Sequence, residues 1–519
     1  MYKKKILYLF FSTLFFITAL ESSNSSKKTI YWLNCDWIIK KPFPKDFLWG
    51  AGTSHCQIEE PSSTCMNNFD FLANLEIFDR EENGTLISGQ RHPSIKALRG
   101  NACMGWEKAL SDVDLVEKIG LDVYRMSVSW EKIMPDETGI PNQEALLHYK
   151  RLLAKYKEKN IKIMLGLHHY TDPFWFTLIG GWTKRRNIHH FTRFARIVYE
   201  ELGDLVWKWS TFNSPSGYAA KCFLTGEMIA GIEENKLIIN KRDYDGHANM
   251  LSNLCLAHVE AYEAIKTAYQ KKKQAAGFKN EPKIGILKNL LQIEASHLWD
   301  NIGTILAKNL LDKPMYEFFT KGTYTHKTYP GTNGTQLLFD LRAPKTLDFI
   351  GLNYYSHKQL SNFTISTVKK DIPTANENYT IYPEGIYLAL EEFDLELATP
   401  ISKITGKKIP IYITENGIAA LNDSDREIFF KRYLYAINEA LNDGIDVRGY
   451  ITWSLMSNYE WGAQYNSKDY GLYNVNFDTY DESGKITKKG TLERTLKNDA
   501  GTKFFLDMVK NQERSLLEL

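Results

Sequence analysis

Two short stretches of this sequence end strand-like runs in side chains suited to chemistry. Residues 206–215 read VWKWSTFNSP and residues 409–417 read IPIYITENG. The second delivers a carboxylate, Glu415. The first delivers Asn213 and then Ser214. A carboxylate held at a strand end can serve as nucleophile or as acid–base group. Chemistry run by a pair of carboxyl groups would want the second one at the matching end of the first run, where this chain has a hydroxyl. Other apolar runs end in Gln57, Arg125, His168 and His169, Asn289, Asn353 and Tyr355, and Trp453. The six cysteines show no CxxC and no spacing with His that suits a metal, so neither a metal nor a cofactor is expected.

The elements that must carry these side chains follow one rhythm. Eight apolar runs occur: FLWGAGTSH (47–55), YRMSVSW (124–130), IKIMLGLHH (161–169), VWKWSTFN (206–213), KIGILKNLLQI (283–293), LDFIGLNYY (347–355), IPIYITEN (409–416) and VRGYITWS (447–454). Helical patterns lie between them, as in EKALSDVDLVEKIG (107–120), NMLSNLCLAHVEAYEAIKTAY (249–269) and REIFFKRYLYAINEALNDG (426–444), the last stopped by Gly444. Continuously apolar strands are the mark of a sheet covered on both faces. Eight strand-plus-helix units predict an α/β fold, a single (β/α)₈ TIM barrel, over residues 40–510. A minimal barrel needs about 250 residues, so the loops must be long. The stretches 56–105, 214–246, 290–345 and 455–500 are the candidates. In such barrels the chemistry sits at the C-terminal strand ends, where the polar residues fall.

Bulk properties narrow the field. The chain has 519 residues, 43% apolar, and a formal charge of +2 from 64 basic and 62 acidic residues. That balance gives no electrostatic case for nucleic acid. Aromatics reach 13%, with 12 Trp and 29 Tyr, which suits a large core and also stacking on the flat faces of sugar rings. Lys3, Lys4 and Lys5 precede an apolar run from Ile6 to Leu20. Residues 1–26 therefore read as a secretory signal and predict an exported protein. No clear small-residue cleavage site follows, so an uncleaved N-terminal anchor is the alternative and the only expected tie to a membrane. The cysteines (35, 56, 65, 103, 222, 255) are expected to be mostly buried free thiols, a disulfide being the alternative in an exported chain. Glycosylation sequons begin at Asn24, Asn83, Asn333, Asn362, Asn378 and Asn422.

The chain resembles family 1 glycoside hydrolases, the retaining β-glucosidase and β-galactosidase family, from about residue 43 to 505. FPKDFLWGAGTSHCQIEE, GLDVYRMSVSWEKIMP, LGLHHYTDPFWFTLIGGW, DFIGLNYYS, IYPEGIYLAL, IPIYITENGIA, DGIDVRGYITWSLMSNYEW and GLYNVNF stand in the family's order. The resemblance implies that Glu415 is the nucleophile, with Arg125 as its counter-ion and Tyr355 hydrogen-bonded to it. It implies that Gln57, His169, Asn213 and Glu460 bind sugar hydroxyls, Trp453 offers a stacking floor and Trp461 a further wall. The expected partner is a small-molecule glycoside or oligosaccharide.

The departures from the family pattern are specific. Ser214 stands where the family has the acid/base glutamate of its T-F-N-E-P motif. Ser457 replaces an aspartate, and Tyr170 a tryptophan. A serine hydroxyl neither protonates a leaving oxygen nor deprotonates water near neutral pH. Acid–base assistance is worth about 10²–10⁴ in rate. Three readings follow. The protein is a glycosidase specialised for activated leaving groups or for transfer to acceptors other than water. A second carboxylate, such as Glu227, replaces the missing one. Or the chain is a catalytically inactive sugar-binding or receptor-like relative. The surviving Glu415, Arg125 and Tyr355 favour the first.

Overall fold

The computed structural model describes residues 36–511 apart from 81–85, 92–97, 235, 277, 327–333, 363, 369–370, 464, 466 and 481–485. The expected export segment, Cys35 and the sequons at Asn24, Asn83 and Asn333 lie outside the described residues. The elements below belong to one unit, Ile39–Leu519.

Eight strands, β1 (Leu48–Gly52), β2 (Val123–Ser127), β3 (Lys162–His168), β4 (Lys208–Asn213), β5 (Ile284–Asn289), β6 (Phe349–Asn353), β7 (Ile411–Asn416) and β8 (Val447–Trp453), form a closed barrel. Neighbours pair in parallel in chain order, and β8 closes onto β1 with Leu48 opposite Gly449 and Gly52 opposite Trp453. Helices α1 (Ala109–Lys118), α2 (Gln143–Glu158), α3 (Ile188–Leu202), α4 (Pro215–Phe223), α5 (Tyr244–Ala276), α6 (Lys313–Lys321), α7 (Pro383–Phe393), α8 (Asp423–Asn442) and α9 (Ala500–Lys510) supply the crossovers and the outer layer. This is the (β/α)₈ barrel that the eightfold rhythm predicts.

Local chemistry explains the helices. In α3 the buried residues are Ile188, Phe191, Phe194, Ala195, Val198, Tyr199 and Leu202, one stripe at helical spacing. Asn142 starts α2 by accepting from the backbone N–H groups of Glu144 and Ala145. Gly444, at φ +93°, follows the end of α8 in a conformation that costs side chains energy.

Inside the barrel one apolar cluster gathers Val123, Met164, Leu287, Phe349, Tyr412 and Ile451, with Leu48 and Trp207 packed against it. Seven strands thus contribute to a filled core, leaving the opposite, C-terminal end for polar groups. Lys208 lies within 5.0 Å of the ring centroids of Trp207, Phe349 and Tyr412, and burial lowers its ammonium to about 8.

The run 283–293 ends its barrel strand at Asn289, where the sequence places a strand end and the start of a long loop. Gln292–Ala295 pairs instead with His357–Ser361 in a separate small sheet. The Leu290 N–H bonds the Asn353 carbonyl at 3.1 Å, which marks the exit. A further long connection, 354–382, was not among the expected loops. It carries short strands, and its polar, broken pattern gives no long apolar run. Cys56, Cys103, Cys222 and Cys255 are buried free thiols, and Cys65 is a half-buried one.

Candidate active site

Glu415 lies in β7 at its C-terminal end. Backbone pairing is irregular on both flanks: register slips between Leu352 and Asn353 of β6, and between Ile413 and Asn416 against β8. Such bulges re-aim side chains at the rims of barrels. Arg125 of β2 reaches across the barrel, and its Nη1 donates to Glu415 Oε1 at 2.6 Å. Tyr355 donates its phenol to the other oxygen, Oε2, at 2.8 Å. Both carboxylate oxygens are therefore held, and Glu415 is 6% exposed. A charge-assisted pair of this kind fixes direction as well as sign.

A second group of side chains is tied to the same arginine. Arg125 Nη2 donates to Asn213 Oδ1 at 2.7 Å, and Asn353 Nδ2 donates to the same oxygen at 2.8 Å. The Asn213 amide in turn donates to His169 Nε2 at 3.1 Å. Burial, then the charge of Arg125, pushes the His169 imidazole well below its ordinary range, so it is neutral and can accept. Thr414 Oγ1 donates to Asn353 Oδ1 at 2.7 Å, which fixes the Asn353 amide. Its Nδ2 also reaches Ser214 Oγ at 3.2 Å. Ser214 is buried, with φ +46° and ψ +59°, between the end of β4 and the start of α4.

The third group comes from the segment after β8. Glu460 Oε2 accepts from Gln57 Nε2 at 2.9 Å, and Gln57 also donates to Asn458 Oδ1 at 3.0 Å and accepts from Ser54. Burial, then the charge of Glu415, raises the Glu460 carboxyl to about 7. The ring of His169 lies near-parallel to those of Trp453 and Trp461, each with its centroid at 5.9 Å. Trp461 is further braced edge-on by Phe69 at 5.4 Å. Glu460, Trp461 and Tyr355 are half-buried, while Gln57, Asn213 and Ser214 are fully enclosed.

The structure thus gathers Gln57, Arg125, His169, Asn213, Ser214, Tyr355, Glu415, Trp453, Glu460 and Trp461 at one end of the barrel. Gln57 sits on the short helix His55–Ile58 just past β1 and not on a strand end. His168 is not part of the group. Its Nε2 bonds Asp172 at 3.0 Å, and Asp172 also accepts from Trp182 and Tyr218 in a buried cluster. Strand alternation sends neighbouring residues to opposite faces.

A carboxylate with two donors on it, beside neutral amide and imidazole groups and aromatic walls, is suited to a polyol with a reactive carbon. A family model described as Glycosyl hydrolase family 1 matches residues 39–514. The chain belongs to glycosyl hydrolase family 1. It is 28% identical to Beta-glucosidase A of Thermotoga maritima over 463 residues, covering 85% of this chain and 94% of that protein. It is 28% identical over 405 residues to the chloroplastic galactolipid galactosyltransferase SFR2 of Arabidopsis thaliana, covering 74% and 58% of the two chains. A structure of the Thermotoga maritima β-glucosidase in complex with deoxynojirimycin superposes with a TM-score of 0.71 at 26% identity, covering 91% of this chain and 99% of that one.

Within this family 1 hydrolase, two contributors, Tyr379 and Asn458, escape sequence reasoning. Tyr379 stacks on Tyr355 with centroids 5.2 Å apart and rings 10° from parallel. It comes from the connection after β6, where nothing periodic marks it. Asn458 helps to fix Gln57 and lies two residues from Glu460. Ser457 is tied to Asp469, its Oγ donating at 2.7 Å.

Proposed function

We propose that this family 1 hydrolase is a β-glycosidase, acting on glucoside-like substrates by a retaining mechanism, with Glu415 as nucleophile and no general acid/base at Ser214. The observation that carries this reading is the clamp on Glu415. Arg125 and Tyr355 hold its two oxygens, leaving a carboxylate aimed for attack on an anomeric carbon. In the first step the Glu415–C1 bond forms as the C1–O bond to the aglycone breaks, and the electron pair leaves with the aglycone oxygen. Asn213 would bond the sugar 2-hydroxyl, and Gln57, His169 and Glu460 the remaining hydroxyls, with Trp453 and Trp461 as walls. In the second step a nucleophile must attack C1 of the glycosyl-enzyme. Water needs a base for this, and Ser214 cannot supply one.

Glu227 does not fill the gap as an acid. Lys221 pairs with it at 2.5 Å and holds its carboxyl below the usual range, so it carries no proton to give at neutral pH. The protein is therefore specialised for aglycones that leave without a proton, or for sugar transfer to acceptors more nucleophilic than water. A relative named as a galactosyltransferase is in keeping with transfer. The clamp on both oxygens of Glu415 favours turnover over sugar binding alone. We propose further that the chain is exported, on the basic and apolar pattern of residues 1–20.

The test is the dependence on leaving group and on azide. Dinitrophenyl β-glucoside should release its phenol, and azide should speed turnover and yield the β-glycosyl azide. An alkyl β-glucoside should react at least 10²-fold more slowly, the lower end of what acid assistance is worth, about 10²–10⁴. Glu415→Ala should abolish both reactions. Comparable hydrolysis of the two substrates with no azide effect would overturn the assignment of Ser214.

A further inference from the structure

The position beside Ser214 is not empty of chemistry. Tyr170 follows β3 and His169 in a left-handed backbone conformation, φ +68°. That turn carries its ring toward α4, where it lies near-parallel to Tyr218 at 5.7 Å and leans on Trp461 at 5.3 Å. Its hydroxyl stands beside Ser214, whose Cβ lies 3.6 Å from the point that a Cβ on Gly217 would occupy, and it feels the charge of Glu415. It also lies 2.9 Å from the point that a Cβ on Gly217 would occupy, so the glycine leaves room for the phenol.

The bonds around Ser214 have a direction. Asn353 Nδ2 donates to Ser214 Oγ at 3.2 Å, which uses that oxygen as an acceptor. When the serine hydrogen is given to Tyr170 Oη, the phenolic hydrogen is left to donate elsewhere. Chained donors of this kind strengthen one another. We propose that Tyr170 is a catalytic residue that donates a hydrogen bond to the departing aglycone oxygen, at the end of a relay from Asn353 through Ser214. This rests on the retaining mechanism above, and it names the group that faces the leaving oxygen.

The step balances without proton transfer. The C1–O electron pair passes to the aglycone oxygen as Glu415 bonds C1. The phenolic O–H shortens its bond to that oxygen as negative charge develops and keeps its own proton. The aglycone leaves as an oxyanion and takes a proton from water. Burial and the negative charge of Glu415 both push the Tyr170 phenol above its ordinary range, which keeps it neutral and a donor at any working pH. A neutral donor stabilises an oxyanion less than a proton does. Aglycones with acidic hydroxyls are therefore the substrate class that this site accepts.

The experiment is a series of aryl β-glucosides whose phenols span acidic to weakly acidic, assayed by phenol release under kcat/KM conditions. Tyr170→Phe keeps the ring and removes the hydroxyl. The expected result is a steeper dependence on leaving-group acidity. The loss should be small for dinitrophenol and about 10²-fold for the weakest acids, the scale for removing one oxyanion donor. Ser214→Ala, which leaves the ring packing untouched, should steepen the dependence in the same direction by less. Parallel lines for wild type and Tyr170→Phe, whether shifted or superposed, would overturn the donor role and leave Tyr170 a packing residue. A wild-type protein that releases no phenol from any member would overturn the retaining reading as well, so the two failures are distinguishable.

Discussion

Glu460 is an acidic side chain whose ionisation is set by burial and by a second acid. Its carboxyl is raised from 4.5 to about 7, first by burial and then by the negative Glu415 nearby. In the window between those values the folded protein holds a proton that the unfolded chain has lost. Stability therefore falls as pH rises through that window, and the deficit is complete above about 7. Glu460→Gln removes the charge and keeps an oxygen for Gln57. Because Glu460 is half-buried, water screens part of the effect, and a gain of about 1–2 kcal/mol is expected at pH 8. At pH 4 the variant should match wild type. Denaturant unfolding at the two pH values measures this, and an equal difference at both would contradict it. On the proposed function the cost is retained because an ionised Glu460 would be a strong acceptor for sugar hydroxyls.

At the scale of elements, the exit of β7 is held against β8 by contact that admits no side chain. A Cβ on Gly417 would stand 1.9 Å from the Trp453 carbonyl oxygen. Backbone cannot yield there as a flexible side chain would. Gly417→Ala should cost about 1–3 kcal/mol, as overpacking does. It should also lower kcat on dinitrophenyl glucoside, since the strain falls two residues from Glu415 and on the tryptophan that flanks His169. Unfolding midpoints and initial rates measure both, and a variant unchanged in either would contradict the account. The strands themselves were legible in the sequence, because burial on both faces demands unbroken apolar runs. Their polar ends were legible for the same reason, as the points where burial stops. The connections were not. Gln57 reads as a strand terminus but sits on a turn of helix. Tyr379 arrives from a connection with no periodicity, placed only by its packing on Tyr355. The relation of Tyr170 to Ser214 joins two different strand ends, and only the folded chain brings them together.

At the scale of the molecule, the barrel converts eight separated strand ends into one set of side chains. Arg125 and Glu415 are 290 residues apart in the chain and 2.6 Å apart in space. Closure of β8 onto β1 brings Trp453 beside Gly52, and the segment that follows β8 returns Glu460 to Gln57. The central claim is that this assembly leaves Glu415 a working nucleophile without a carboxyl partner at Ser214. Mass spectrometry of the intact protein after incubation with an activated 2-fluoro-β-glycoside tests it most directly. One glycosyl group should appear, localised by peptide mapping to Glu415. It should persist in water, fall away when azide is added, and be missing from Glu415→Ala. No adduct with the gluco, galacto or manno reagent, or an adduct on another residue, would contradict the claim.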